Sequence, residues 1–373
     1  MSRLYLHIKK SFVVFLILGF VLSACGTAAT PAPNQPEATQ EEILPESGER
    51  RTLVVSGWGG LWEQTVTEEV YKPFEERFNV DVVHSLNAGF AEALAKQRAE
   101  KGNPTIDVFL TGGGFERIAA DEGLLEDFDY EKMPNLNSVY EGGIYKDQVV
   151  ANSVAGVGLV YHKERVPREP TSWYDLWDPD FSPVAISDIS DTYGRALFVG
   201  INTLEGGTID NPEPGWEKFK ELMRTKKPII NQTTDDTTNA IVARGAALSV
   251  APNSRAIQLI KEGLPIGFVY PEEGGFAWGT YMGISSGTPN KDLAMEFINF
   301  WLDPEIQANW NAEVNYGPAN VNVQMPQDYE YSDYLVYHNR LEEAYFLNWD
   351  EINDKVSEWN EYWTINVLPE LDG

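Results

Sequence analysis

Residues 266–284 read IGFVYPEEGGFAWGTYMGI, and the way this stretch folds decides how the rest of the chain is arranged. The apolar run 266–270 has the length and composition of a buried strand. Pro271 and the pair Gly274-Gly275 break it and turn the chain. A second run, 276–284, follows and carries Trp278 just past the break. A strand that stops, turns and restarts suits a chain passing from one compact lobe to another. A hairpin inside one domain has the same pattern, so the flanking sequence must decide.

Over a hundred residues earlier, 145–161 (YKDQVVANSVAGVGLVY) is another long extended run, interrupted by Gly156 and Gly158. On its N-terminal side strands and helices alternate. A strand at 53–55 ends in Ser56-Gly57-Trp58-Gly59-Gly60. Val66, Val70, Phe74 and Phe78 then keep a helical spacing, with a break or restart expected at Pro73. Strands at 81–84 and 107–110 and a helix at 91–101 follow, and Gly112-Gly113-Gly114 leads into a short helix ending at Gly123. Between the two extended runs lies a second set: strands at 184–187, 229–230 and 248–250, helices at 173–177, 193–204, 216–224, 236–244 and 254–262. Such alternation means parallel sheet covered by helices, with ligands outside the carboxyl ends of the strands. Two α/β lobes joined by two crossing strands enclose a cleft, and the crossing reading of 266–284 is preferred.

The ends of the chain read differently. Arg3, Lys9 and Lys10 precede an apolar core at 12–21, too short for a stable membrane span. Leu22-Ser23-Ala24-Cys25 follows, and Cys25 is the only cysteine in the chain. This resembles the lipobox of bacterial lipoproteins, which implies removal of 1–24, lipid on Cys25 and an extracytoplasmic address. Residues 25–50, rich in Ala, Thr, Pro, Glu and Gln, cannot bury enough surface to order themselves and form a disordered tether. With one cysteine there is no internal disulfide, so an exported body is held by its core. Past 284, helices are expected at 292–302, and again from Asp303-Pro304, which supply a helix N-cap and first position. Ile352, Val356, Trp359, Trp363 and Val367 form an apolar stripe near the end, expected to pack in a core.

The net charge is −29, and without the three positive charges of the leader the remainder carries −32. That excludes a nucleic-acid footprint, which must be basic. It favours cations near the surface, within the reach that salt allows. The four histidines (His7, His84, His162, His338) show no ligand spacing, so no metal and no cofactor is expected. Gly283-Ile284-Ser285-Ser286-Gly287 matches the G-x-S-x-G of serine hydrolases, but Thr288-Pro289-Asn290 separates Ser285 from the next helix, where the hydrolase elbow needs the helix to begin at the serine. The glycines at 112–114 do not precede a Lys-Ser/Thr pair, so they are no phosphate loop. Binding rather than catalysis is the expectation.

From 52 to about 323 the chain resembles the solute-binding proteins of bacterial ABC importers, in the spermidine/putrescine-binding group. TSWYDLWDPDFSPVAISD (171–188), FVYPEEGGFAWGTYMGI (268–284) and NKDLAMEFINFWLDPEIQANW (290–310) carry the likeness. The resemblance implies a two-lobed type II periplasmic-binding fold that hinges shut on its ligand, with 51–153 and 271–302 as one lobe and 154–270 as the other. It implies that 303–373 packs on the second lobe. As partners it implies a small amine-type solute and a membrane permease, for a monomer held to the membrane by lipid alone.

The site carries over residue by residue. Trp58 and Trp278 match the family's ligand-stacking tryptophans. The family's Tyr three residues after the first is Leu61 here, with Trp62 beside it. Its Ser-x-Tyr loop is Gly112-Gly113-Gly114, which puts Gly113 at the ligand. A Trp at a second-lobe strand end is Pro252, although the adjoining Asn253 agrees. The Asp two residues after the later Trp is Thr280, while Asp188 and Asp191 keep the spacing of the acidic pair. With one ammonium-binding carboxylate absent, a thiamine-like, opine-like or other zwitterionic ligand is the alternative to a polyamine. Arg195 and Arg255 would then receive the carboxylate. The alternatives from other classes are a secreted serine hydrolase using Ser285 and a ligand-free adhesin or chaperone.

Overall fold

Fourteen residues of nearly unbroken apolar sequence, Val149–His162, form one strand that joins both flanks of the sheet. The computed structural model describes residues 50–87 and 89–372. The leader, Cys25 and all of the tether but Arg50 lie outside them. In chain order the strands are β1 (Thr52–Gly57), β2 (Asp81–Leu86), β3 (Val108–Gly112), β4 (Ile144–Tyr145), β5 (Val149–His162), β6 (Val184–Ser187), β7 (Ile229–Asn231), β8 (Leu248–Pro252), β9 (Ile266–Val269), β10 (Phe276–Ile284), β11 (Gly317–Pro318) and β12 (Tyr345–Phe346). The central order is β2-β1-β3-β10-β5-β8-β6-β7. On one flank β1 runs parallel to β2 and β3, and on the other β6 runs parallel to β7 and β8. Where the flanks meet, β10 is antiparallel to β3 and β5, and β5 is antiparallel to β8. The sheet is thus parallel within each flank and antiparallel at the crossing.

The register settles the reading of 266–284. β9 lies against the far end of β5, Ile266 opposite His162 and Val269 opposite Leu159. β10 continues along the same strand in the same direction, from Phe276 opposite Val157 to Gly283 opposite Val149. A hairpin would have reversed the direction; this chain loops out at 270–275 and resumes. Nor is β5 interrupted at Gly156 and Gly158. A Cβ on Gly156 would stand 2.1 Å from the Tyr270 hydroxyl, and one on Gly158 would stand 2.4 Å from the Val269 carbonyl. The glycines let the crossing segments lie close rather than breaking the strand.

Helices cover both flanks. They are α1 (Leu61–Val66), α2 (Lys72–Phe78), α3 (Phe90–Ala99), α4 (Phe115–Asp121), α5 (Thr192–Leu204), α6 (Glu213–Lys226), α7 (Thr234–Val242), α8 (Asn253–Lys261), α9 (Lys291–Trp301), α10 (Pro304–Val314), α11 (Asn339–Glu343), α12 (Trp349–Asn353) and α13 (Val356–Tyr362). Pro73 marks a restart rather than a break. A π-helical turn over Thr67–Tyr71 links α1 to α2, and the proline sits in the first turn of α2, where no N–H is missed. Asp303 caps α10 through the Glu305 amide.

Two large cores result. Leu53, Val55, Phe74, Leu110, Phe297, Trp301 and Trp310 belong to the first. Leu159, Trp173, Phe198, Trp216 and Phe219 belong to the second, joined by Trp349, Ile352, Trp359, Trp363 and Val367 from the C-terminal stripe. The tail is therefore divided, and the expectation that all of 303–373 packs on the second lobe is corrected. Ile306, Trp310 and Val314, four residues apart on α10, face the first core, with Trp310 edge-on to Trp62 at 5.3 Å. Only the segment from about Leu347 onward enters the second.

Candidate functional site

The parallel strands of the two flanks run in opposite directions along the crossing pair, and their carboxyl ends converge near its middle; the loops that follow surround a cleft of about 860 Å³. β1 runs into Trp58, Leu61 and Trp62, and the loop after β2 delivers Phe90 at the start of α3. From the other flank, the loop after β6 brings Asp191, Thr192 and Tyr193, and β8 with α8 brings Pro252, Arg255 and Lys261. β10 contributes Trp278 and Thr280 from the floor.

Five aromatic rings hold one another edge to face. Trp58 lies 5.1 Å from Trp62 and 5.7 Å from Phe90. Trp278 lies 6.3 Å from Phe90 and 5.3 Å from Tyr193, nearly perpendicular to the former. Edge-to-face packing fixes ring orientation and leaves faces for a ligand. The Trp278 indole N–H has no partner within the protein.

Asp191 caps α5, its Oδ2 accepting from the Tyr193 amide at 3.3 Å. Burial raises its carboxyl above the usual carboxylate range, against the pull of backbone amides and of Arg195. Burial likewise lowers Arg195, and Asp191 opposes that. The Arg195 guanidinium is spent on the loop, donating to the carbonyls of Ser190 at 2.7 Å and Ile189 at 3.3 Å. From α8 of the same flank Arg255 donates to Gln258 Oε1 at 2.9 Å, and Lys261 donates to Asn315 Oδ1 at 3.0 Å above the rings of Tyr329 and Tyr331.

The residues singled out in the sequence divide. Trp58, Trp62, Asp191, Trp278 and Thr280 line the cleft. Gly113 stands at its rim, where a Cβ would lie 3.5 Å from Phe90 and 3.8 Å from Thr192 Oγ1. Asp188 does not line it. Both its oxygens are used inside the lobe, Oδ1 by Ser190 and Oδ2 by the Trp363 indole N–H at 2.9 Å. Asn253 is fully buried and ties β5 to the loop after α10, accepting from the Gly156 amide and donating to the Asn315 carbonyl. Thr280 shares its hydroxyl with Asn152 and Ser153. Arg195 is likewise outside the lining, whereas Arg255 is in it. Phe90 and Tyr193 escaped the sequence reading. Each is an aromatic at the start of a helix that follows a strand end, and that position is the signal available for both.

No histidine lines the cleft, and among the described residues no group of three metal-ligating side chains is assembled. Ser285 is buried, no helix starts at it, and its hydroxyl has no hydrogen-bond partner. No helix among the described residues is long and apolar enough to cross a membrane.

An aromatic-walled cleft between two α/β flanks, bridged by crossing strands, defines a two-lobed solute-binding protein of the periplasmic type. The chain belongs to the family described as bacterial extracellular solute-binding protein, whose model matches residues 103–352. The spermidine/putrescine-binding periplasmic protein 1 of Haemophilus influenzae is 19% identical over 355 residues, covering 92% of this chain and 97% of that protein. The gamma-aminobutyric acid-binding protein of Pseudomonas aeruginosa is 25% identical over 280 residues, covering 72% and 77%. The crystal structure of an ABC transporter protein from Clostridium perfringens superposes with a TM-score of 0.73 at 25% identity, over 84% of this chain and 99% of that one.

Proposed function

We propose that the chain captures a small amine-type solute in this cleft and delivers it to the membrane permease of an ABC importer. The observation that carries the reading is the ring set Trp58, Phe90, Tyr193 and Trp278 beside the half-buried carboxylate of Asp191. An ammonium group stripped of water gains about 2 kcal/mol on an indole face, and a carboxylate at the same place neutralises it. Relatives that bind spermidine, putrescine and gamma-aminobutyric acid support this class of solute. Lobes at 51–153 with 271–302 and at 154–270 would close on it about the crossing strands. The receptor works as a monomer without catalysis, tethered outside the cytoplasm through lipid on Cys25.

A second reading has its own observation. Thr280 stands where a second acidic group is expected, and Arg255 and Lys261 line the cleft, with Glu262 and Glu313 beside them. A ligand with one ammonium and one carboxylate finds a partner for each charge there. A thermal-shift screen of diamines, ω-amino acids and neutral sugars tests both, since a ligand at 100 times its Kd adds about 2.7 kcal/mol of stability. Stabilisation by sugars alone would remove the amine proposal.

A further inference from the structure

The C-terminal segment touches both flanks on its way into the second core. β12 adds parallel to β10, Tyr345 opposite Phe276 and Phe346 opposite Ala277. Phe346 then stacks on Tyr140 at 5.5 Å with 25° between the planes. In α12, Trp349 and Ile352 are buried in the second core. From the same short helix Asp350 pairs with Arg117 of α4, Oδ2 to Nη1 at 2.7 Å. A Cβ built on Gly114 would lie 2.3 Å from Asn353 Nδ2 and 2.6 Å from Trp349 Cβ. Only glycine admits that approach, because Trp349 Cβ cannot swing aside as a side-chain tip could. The Gly114 amide is held in place by Glu116 Oε2 at 3.0 Å. Its neighbour Gly113 adjoins Phe90 and Thr192, two residues of the cleft wall.

A helix anchored in the second core is thus seated on a loop of the first flank, at the rim of the cleft. When two bodies turn about a hinge, such a contact belongs to one setting of the hinge. We infer that α12 is a clasp: the Arg117–Asp350 pair and the seat of Trp349 and Asn353 on Gly114 hold the lobes closed, in the setting where Gly113 of the first flank meets Thr192 of the second, and set solute affinity without touching the solute. This rests on the reading of the chain as a hinged solute receptor. The apparent dissociation constant scales inversely with the fraction of receptor already competent, so a contact that favours closure tightens binding from outside the cleft.

The test reads closure directly, first without any solute. Nitroxide labels on Glu76→Cys and Thr225→Cys, both exposed and one on each flank, report the interlobe distance once Cys25 is replaced by serine. Arg117→Ala and Asp350→Ala should each lower the ligand-free closed-to-open ratio by roughly two- to fivefold, the range of a partly exposed ion pair. The double variant should lose no more than either single one, and the exchange Arg117→Asp with Asp350→Arg should regain most of the loss. Gly114→Ala should open the protein further. Gly142→Ala, at a similar φ of 86° with nothing within 4 Å of the added Cβ, imposes the same backbone strain and should leave the ratio unchanged. Ratios that stay the same in folded Arg117→Ala and Asp350→Ala overturn the clasp, and so do losses that simply add in the double variant. Putrescine and 4-aminobutyrate are then titrated into the labelled parent. Failure of both to close it counts against the proposed solute, while the ligand-free ratios still decide the clasp.

Discussion

Replacing Trp278 separates a ligand-binding wall from ordinary core. The ring lies at the edge of the second core, is partly buried, and is held edge-on by Tyr193 at 5.3 Å and Phe90 at 6.3 Å. Each aromatic pair contributes about 0.5–1.5 kcal/mol beyond its buried area. Trp278→Ala removes both pair contributions, about 1–3 kcal/mol together, and the partly buried area of the ring besides, so stability should fall by about 3 kcal/mol, at the lower end of the 3–5 kcal/mol typical of a Trp deleted from a full core. The cation–π contact with a desolvated ammonium group adds about 2 kcal/mol to binding, or roughly thirtyfold in Kd. Trp278→Phe keeps a ring face between the same neighbours and should cost well under half of that. Calorimetric titration with the amine that a thermal-shift screen returns gives Kd, and urea unfolding of the same preparations gives stability. If Trp278→Ala loses stability while the folded fraction binds with unchanged Kd, the ring is packing alone and the cleft-wall argument fails.

Three further outcomes follow from individual side chains. Asp191→Asn keeps the cap on α5, because Asn caps as well as Asp; it should therefore weaken amine binding by about 2 kcal/mol or more with little change in stability, whereas Asp188→Asn should lower stability and leave Kd alone. Equal Kd losses in both would return Asp188 to the site. Burial lifts Glu116 to about 7 from about 4.5, so the folded chain keeps a proton that the unfolded chain gives up between those values. The resulting stability is fully present below about pH 4.5 and is lost as pH rises through about 7, at up to about 1.4 kcal/mol per pH unit. Glu116→Gln should flatten that slope in denaturant unfolding across the range, and parallel curves for the two proteins would show Glu116 ionised throughout. Ser285→Ala should change neither solute binding nor any trace of ester hydrolysis; an esterase signal that vanishes in this variant would reverse the reading of the motif.

The frame of the fold was legible because it is written in long apolar runs. 145–161 and 266–284 are continuous rather than alternating, which marks strands buried on both faces, and their spacing in the chain left room for one α/β set between them. Direction along β5 was not legible, since a loop-out and a hairpin share Pro and Gly at the same places; the register decides it. The tail was misread for a related reason. The face of α10 is as apolar as the stripe at 352–367, and periodicity says that a face is buried without saying against what. At the site, Trp58 follows the end of β1 and Asp191 the end of β6, whereas Trp278 stands inside β10; the resemblance to the solute-binding family singled out all three. Asp188 could not be told from Asp191 by spacing, because which one turns inward depends on Trp363, 175 residues away. Phe90 and Tyr193 were missed because aromatics at helix starts are more often core.

Titration calorimetry with putrescine, spermidine and 4-aminobutyrate tests most directly whether the cleft holds an amine. Saturable one-to-one binding of at least one of them is expected, weakened roughly thirtyfold or more in Asp191→Asn and in Trp278→Ala. Absence of binding by all three in the wild-type protein, with saturable binding of a neutral or anionic solute that Asp191→Asn leaves intact, would contradict it.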